Sequence, residues 1–270
     1  IQTVVTGNSE GRQGSPSQVM EVASTLTTLA KTTNTPIMII GHVTKDSNIA
    51  GPRTLEHLVD VVIYLDASEN DNIPLRLLRS IKNRYGSTEE VGCCQHTNDG
   101  ILEVPDPSGF LTQEHDVDAT GYATGMITEG RRVFPIEVQA LITPSPLPNP
   151  RKITSGLDHS RSLMLQAALQ KYGHVKLGEL DTYVTVTGGM RVKDSSVDLA
   201  LIAALTSSMY NIKPHKTDIW IGEVSLTGEI RPTMNQNRMV KEAKRLGYKN
   251  IYTSETVSNI MRVELILKNR

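Results

Sequence analysis

The chain has 270 residues, 38% hydrophobic and 21% charged, which is enough apolar material for one large or two ordinary packed domains and argues against disorder. Its formal net charge of −1 excludes a polycation, so any nucleic-acid contact must come from local clusters of Lys and Arg. No run of about 18 apolar residues marks a membrane span, the opening IQTVVTG lacks the pattern of a signal peptide, and the only cysteines, Cys93 and Cys94, are adjacent, as suits a reduced, cytoplasmic protein.

In chain order, a polar Gly/Ser-rich loop, TGNSEGRQGSPS, precedes an amphipathic helix over 18–33, where Val19, Val22, Ala23, Leu26, Leu29 and Ala30 recur at helical spacing. PIMIIGH then reads as a strand buried on both faces, followed by the polar loop VTKDSNIAGPR, a short helix TLEHLVD and a second buried strand, VVIYLD. LRLLRSIKNRYG reads as a strand, and VGCCQH with ILEVPD as a terminal hairpin. Buried strands alternating with helices predict a mainly parallel α/β sheet over residues 1–104.

A turn-rich, acidic stretch marks a linker at 105–117, and residues 118–270 read as a separate α+β domain. There the sequence predicts a hairpin in GYATGMITEGRRVFPIEVQALITP, a helix around 160–172 and a strand in TYVTVTGG. A helix in DSSVDLALIAALTSS is expected to open on a capping pair of Ser195 with Asp198. Two short strands in DIWIGEVSLTGEI and a last amphipathic helix at 235–247 complete it.

Two clusters suggest chemistry. His42 lies just beyond the IMII strand, at the carboxyl end of a parallel sheet, where ligands sit; the plainer alternative is a histidine that caps the strand. Lys82 and Arg84, two apart on a strand, share a face and end at the glycine of KNRYG, an arrangement suited to a polyoxygen anion. On spacing alone, a solvated basic pair is the commoner arrangement and would be the preferred reading.

GHVTK, AGPRTLEHLVDVVIYLD, IKNRYGST, PNPRK with GLDHSR, and GEVSLTGEIR together resemble the bacterial RadA (Sms) recombination family, over essentially the whole chain. The resemblance implies part of a RecA-like ATPase core followed by a Lon-protease-like domain, in a homo-oligomeric, hexameric ring on single-stranded and branched DNA that promotes branch migration with RecA. It implies that His42 senses the γ-phosphate, that Lys82 and Arg84 reach across to a neighbour's ATP and Mg²⁺, and that Arg12, Lys45 and Arg53 sit in DNA-contacting loops. Arg151, Lys152 and Arg161, beside His159, are the DNA-contact candidates of the Lon-like half. Family members also carry a four-cysteine zinc motif and a Walker A loop; this chain holds no G-x-x-x-x-G-K-[ST], so it reads as a truncated chain unable to bind ATP in cis, with no metal ligands of its own.

The Lon resemblance raises a protease alternative. Aligned on the Lon pattern, Val197 stands where the nucleophilic serine belongs and Asn237 where its lysine partner belongs. Ser195, Ser196 and Lys241 are the nearest substitutes. The leading expectation is therefore a DNA motor ATPase and not a protease; the alternatives are a Lon-type ATP-dependent serine protease and a non-catalytic oligomeric DNA-binding scaffold.

Overall fold

The computed structural model describes residues 1–7, 12–41, 51–67, 75–112 and 119–269, the side chains of 51–54 and 66–67 apart. Its chain divides into two compact units, one of Ile1–Leu65 with Leu78–Glu90 and one of Asp66–Leu77 with Val91–Arg270. The expected linker at 105–117 thus falls within the second unit of this division, and part of it, 113–118, lies outside the described residues. Both parallel and antiparallel strand pairs occur among the described residues, which is compatible with an α/β core. No described helix is long and apolar enough to cross a membrane.

In the first unit, α1 (Pro16–Thr33) opens where Ser15 accepts from the Gln18 amide and Pro16 supplies the first turn, and it closes on Asn34 in the left-handed region, φ 51°. Val19, Val22 and Ala23 are its buried stripe. Then come α2 (Gly51–Leu58), β1 (Val61–Ala67) and β2 (Leu75–Asn83), with β1 and β2 neighbours in one sheet. The expected strand PIMIIGH does not form over residues 36–41, and Met38 and Ile40 are exposed. Nor is β1 buried on both faces, since Val61, Ile63 and Leu65 are exposed. The physical reason is that an apolar run becomes a doubly buried strand only where ladder partners and covering layers exist, and no described element covers these residues.

The second unit carries a hairpin of β3 (Val91–Thr97) with β4 (Gly100–Glu103), antiparallel with Cys94 opposite Glu103, then a short α3 (Ser108–Leu111). Its main sheet is built from β5 (Tyr122–Glu129), β6 (Arg132–Pro144), β7 (Lys152–Thr154) and β8 (Leu180–Val186) in the order β5-β6-β8-β7. All pairs there are antiparallel except β7 with β8, and Gly130 at φ 58° makes the β5–β6 turn. Helix α4 (His159–Tyr172) is capped by Asp158, and α5 (Asp198–Tyr210) packs on β5 and β6. Every residue of α5 from Asp198 to Ser207 is buried, which makes it the central core element. Gly125 allows that approach, because a Cβ there would stand 3.0 Å from Ala200 Cβ.

The segment expected to give two strands gives three: β9 (Asp218–Trp220), β10 (Glu223–Val224) and β11 (Ile230–Arg231). Helix α6 (Gln236–Arg245) follows as expected, then β12 (Asn250–Tyr252), parallel to β9, and an unforeseen last helix, α7 (Met261–Lys268). Trp220 and Tyr252 stack across β9 and β12, ring centroids 4.0 Å apart.

Candidate functional site

In the first unit Lys82 of KNRYG reaches the last turn of α2, and Arg84 the stretch that joins α2 to β1. Lys82 Nζ donates to the Glu56 carbonyl at 2.6 Å, and Arg84 Nη1 lies 3.3 Å from Asp60 Oδ1. The Arg84 amide donates to the Asp60 carbonyl at 3.1 Å, and Tyr64 Oη donates to Glu56 Oε1 at 2.7 Å. Strand β2 ends at Asn83, so Arg84 lies just beyond it, and the two cations are anchored to groups four residues apart, Glu56 and Asp60. Neither group is used up, since an ammonium has three donors and a guanidinium five, and the Arg84 side chain is 56% exposed. Arg12 is exposed at the foot of α1. His42, Lys45 and the side chain of Arg53 lie outside the described residues.

The candidate cations of the second unit part company. Arg151 is exposed, its amide donating to Asp181 Oδ1 at 2.7 Å and its guanidinium open to solvent. Lys152 is engaged: its ammonium donates to the Leu177 and Leu180 carbonyls and to Thr182 Oγ1 at 2.8–2.9 Å, and burial pulls its pKa down. Arg161 reaches inward, its Nη2 pairing with Asp198 and donating to the Val224 carbonyl at 2.9 Å. Glu223 stands 3.7 Å from the same nitrogen. These geometries give Lys152 and Arg161 tertiary cross-linking roles that local sequence cannot reveal, because every partner is remote along the chain.

Around the start of α5 the expected capping pair does not form. Asp194 accepts from the Ser196 amide at 3.0 Å, while Ser195 Oγ donates to Glu223 Oε2 at 3.2 Å. Asp198 instead accepts from Arg161 and from the Val224 amide, 3.1 Å. The reason is that Asp198 is buried, and a buried carboxylate takes the strongest donor within reach. Burial pushes its pKa up, opposed by Arg161 and the Val224 amide. Ser196 is fully buried and donates to the Met126 carbonyl at 2.6 Å. Val197 is buried and Asn237 exposed. Lys241 lines a different cavity from the one that Ser195 and Val197 line, so the three do not form one constellation.

The cavity holding Lys241 is a basic groove of about 720 Å³ that no single stretch of sequence displays. Arg131 and Arg132 come from the β5–β6 turn, and Arg238, Lys241, Lys244 and Arg245 from α6. The helix buries Gln236, Met239 and Ala243 on its other side. Arg238 donates to the Arg131 carbonyl and so ties the two elements together. Asp106 and Glu242 also line the groove; both face Arg245, at 3.9 and 2.7 Å. Ser108 donates to Asp106 through its hydroxyl and amide, holding that carboxyl below the usual range. The ammonium groups of Lys241 and Lys244 have no recorded partner among the described residues. EGRR in a turn and a Lys/Arg-rich helix were each legible in the sequence; their meeting was not.

Among the described residues no group of three or more His, Cys, Asp or Glu is placed to hold a metal ion. No family model matches the chain. Its likeness is to bacterial DNA repair proteins, over 93% of its length. Those relatives are named DNA repair protein RadA: the protein of Bacillus subtilis (strain 168) is 40% identical over 251 residues, and that of Streptococcus pneumoniae (strain ATCC BAA-255 / R6) 40% over 252. The Chlamydia muridarum (strain MoPn / Nigg) protein is likewise 40% identical, over 251 residues. Across that span the chain is homologous to RadA, and it covers 54%, 60% and 55% of the three proteins' own lengths.

Proposed function

We propose that this chain works as part of a ring-shaped, DNA-dependent ATPase of recombination and repair. The observation that carries the reading is the 40% identity, over 93% of the chain, to proteins named for DNA repair. In this reading residues 1–104 are the later part of a RecA-like core, and 118–270 a Lon-protease-like domain. His42, Lys82 and Arg84 serve ATP and Mg²⁺ held by a neighbouring subunit of a hexamer. The two cations suit that role because they keep donors to spare, and a cation in trans stabilises charge on a transferring phosphoryl group. Branch migration with RecA, in the cytoplasm, is the activity the reading implies. Arg12, Lys45, Arg53 and Arg151 would serve DNA, and the groove at α6 adds a surface whose cations outnumber its carboxylates three to one.

DNA binding by the chain tests this directly. Lys241→Ala with Lys244→Ala is expected to weaken binding of an oligonucleotide roughly tenfold at about 0.1 M salt and to lower the salt slope by about one to two. Unchanged affinity and slope in a fluorescence anisotropy titration would remove the groove from the reading.

The Lon-like half is read as non-proteolytic. A valine has no hydroxyl to attack a carbonyl, Ser196 already donates its proton to a backbone carbonyl, and Lys241 lines another cavity. A serine-directed fluorophosphonate is therefore expected to leave the chain unlabelled. Stoichiometric labelling that disappears in Ser195→Ala would restore the protease alternative.

A further inference from the structure

Tyr85 is the one residue of KNRYG whose side chain has no recorded partner. It is 80% exposed, and among the described residues its ring and hydroxyl make no recorded contact. It does not hang on a loose loop. Its amide donates to Asn83 Oδ1 at 3.0 Å, Asn83 Nδ2 reaches the Ser87 carbonyl at 3.5 Å, and Ser87 Oγ accepts from the Glu89 amide at 3.0 Å. The turn is further tied down by Arg84, through its backbone and side chain, to Asp60. A tied turn thus presents an exposed aromatic ring at the position next in sequence to one cation and three residues from another.

Leaving so large an apolar face in water is unfavourable unless something covers it. Cations that suit phosphate oxygens, next to an open π-face, match the two halves of a nucleotide. Phosphate takes the charge-assisted hydrogen bonds, and the base takes the ring, because every base has a π-face to stack. We propose that Tyr85 is a stacking platform for the nucleobase of a nucleotide whose phosphate meets Lys82 and Arg84. This rests on the phosphate-binding reading of those two cations. The ring carries the interaction and the hydroxyl is dispensable. The base can belong to a free nucleoside triphosphate or to single-stranded DNA, since both present the same pairing of phosphate and base.

The test uses the whole chain and two pairs of probes: a 2-aminopurine oligonucleotide against an abasic one, and 2-aminopurine riboside triphosphate against inorganic triphosphate. In one pair or the other, which identifies the source, the chain should bind the base-bearing probe at least about fivefold more tightly and quench its emission by stacking. Tyr85→Phe should keep both effects, and Tyr85→Ala should abolish both while leaving the abasic oligonucleotide or inorganic triphosphate bound as before. With a side chain so exposed, neither change disturbs the fold. Lys82→Ala with Arg84→Ala should weaken both members of the pair. The proposal is overturned if neither pair shows a base preference, or if the preference and the quenching survive in Tyr85→Ala. If stacking behaves as expected but the double cation variant binds the base-free probe normally, the phosphate reading fails by itself.

Discussion

Arg161→Ala is expected to destabilise the second unit by about 3–5 kcal/mol, the usual cost of leaving a buried carboxylate without its partner. Asp198 sits at the first turn of the central helix α5, and Arg161 reaches it from α4 while also donating to the Val224 carbonyl on β10. Removing the guanidinium strands a buried charge and separates three elements at once. Chain-folding titrations in urea can read this from Trp220, the only tryptophan, which is buried and stacked on Tyr252. Adding Asp198→Asn should recover part of the loss, because an amide oxygen still accepts from the Val224 amide without a charge to desolvate. The pH dependence has a definite sign. Burial raises the Asp198 pKa, and without Arg161 only the Val224 amide opposes it. The folded variant then holds its proton more tightly than the unfolded chain does. Its stability should fall as pH rises from the ordinary aspartate value, about 3.9, to the raised folded value, and level off above that. A loss under about 1 kcal/mol that does not change with pH would show that the pair carries little of the fold.

Arg84→Ala should have the largest effect on turnover. A chimaera joining this chain to the additional segment of the Bacillus subtilis relative is expected to lose roughly 10³-fold or more in kcat, with nucleotide affinity changed far less, if Arg84 acts on a neighbour's phosphates. The loss should follow the subunit interface. Mixing Arg84→Ala subunits with subunits defective in the phosphate-binding loop should restore activity above either parent, because some interfaces then combine an intact loop with an intact Arg84. Mixed rings, verified as mixed, that never exceed either parent would refute action in trans. Arg84 is a suitable probe because its contact with Asp60 is partly exposed, so its loss should cost the fold little.

The sequence by itself determined most elements of this protein and the resemblance that its relatives bear out. Helices α1 and α4 were legible because the patterns that set them lie within the segments themselves, whereas their caps, Ser15 and Asp158, came from the structure. The hairpins β3–β4 and β5–β6 were legible for the same local reason. Local pattern misjudged PIMIIGH and VVIYLD, since an apolar run reports a capacity for burial and only the surroundings decide whether burial occurs. The candidate site divides along the same line. Lys82 and Arg84 were expected on one face from a spacing of two, whereas the partner of each cation was a tertiary matter. Nothing near Lys152 or Arg161 in the sequence announces that Leu177, Leu180 and Thr182 hold the one, or that Asp198 and Val224 hold the other. The groove of Arg131, Arg132, Arg238, Lys241 and Lys244 exists only because α6 packs beside the β5–β6 turn, about a hundred residues away in sequence. Charge type is written residue by residue, but whether a cation serves solvent, a ligand or its own fold depends on which distant oxygen atoms the folded chain brings to it.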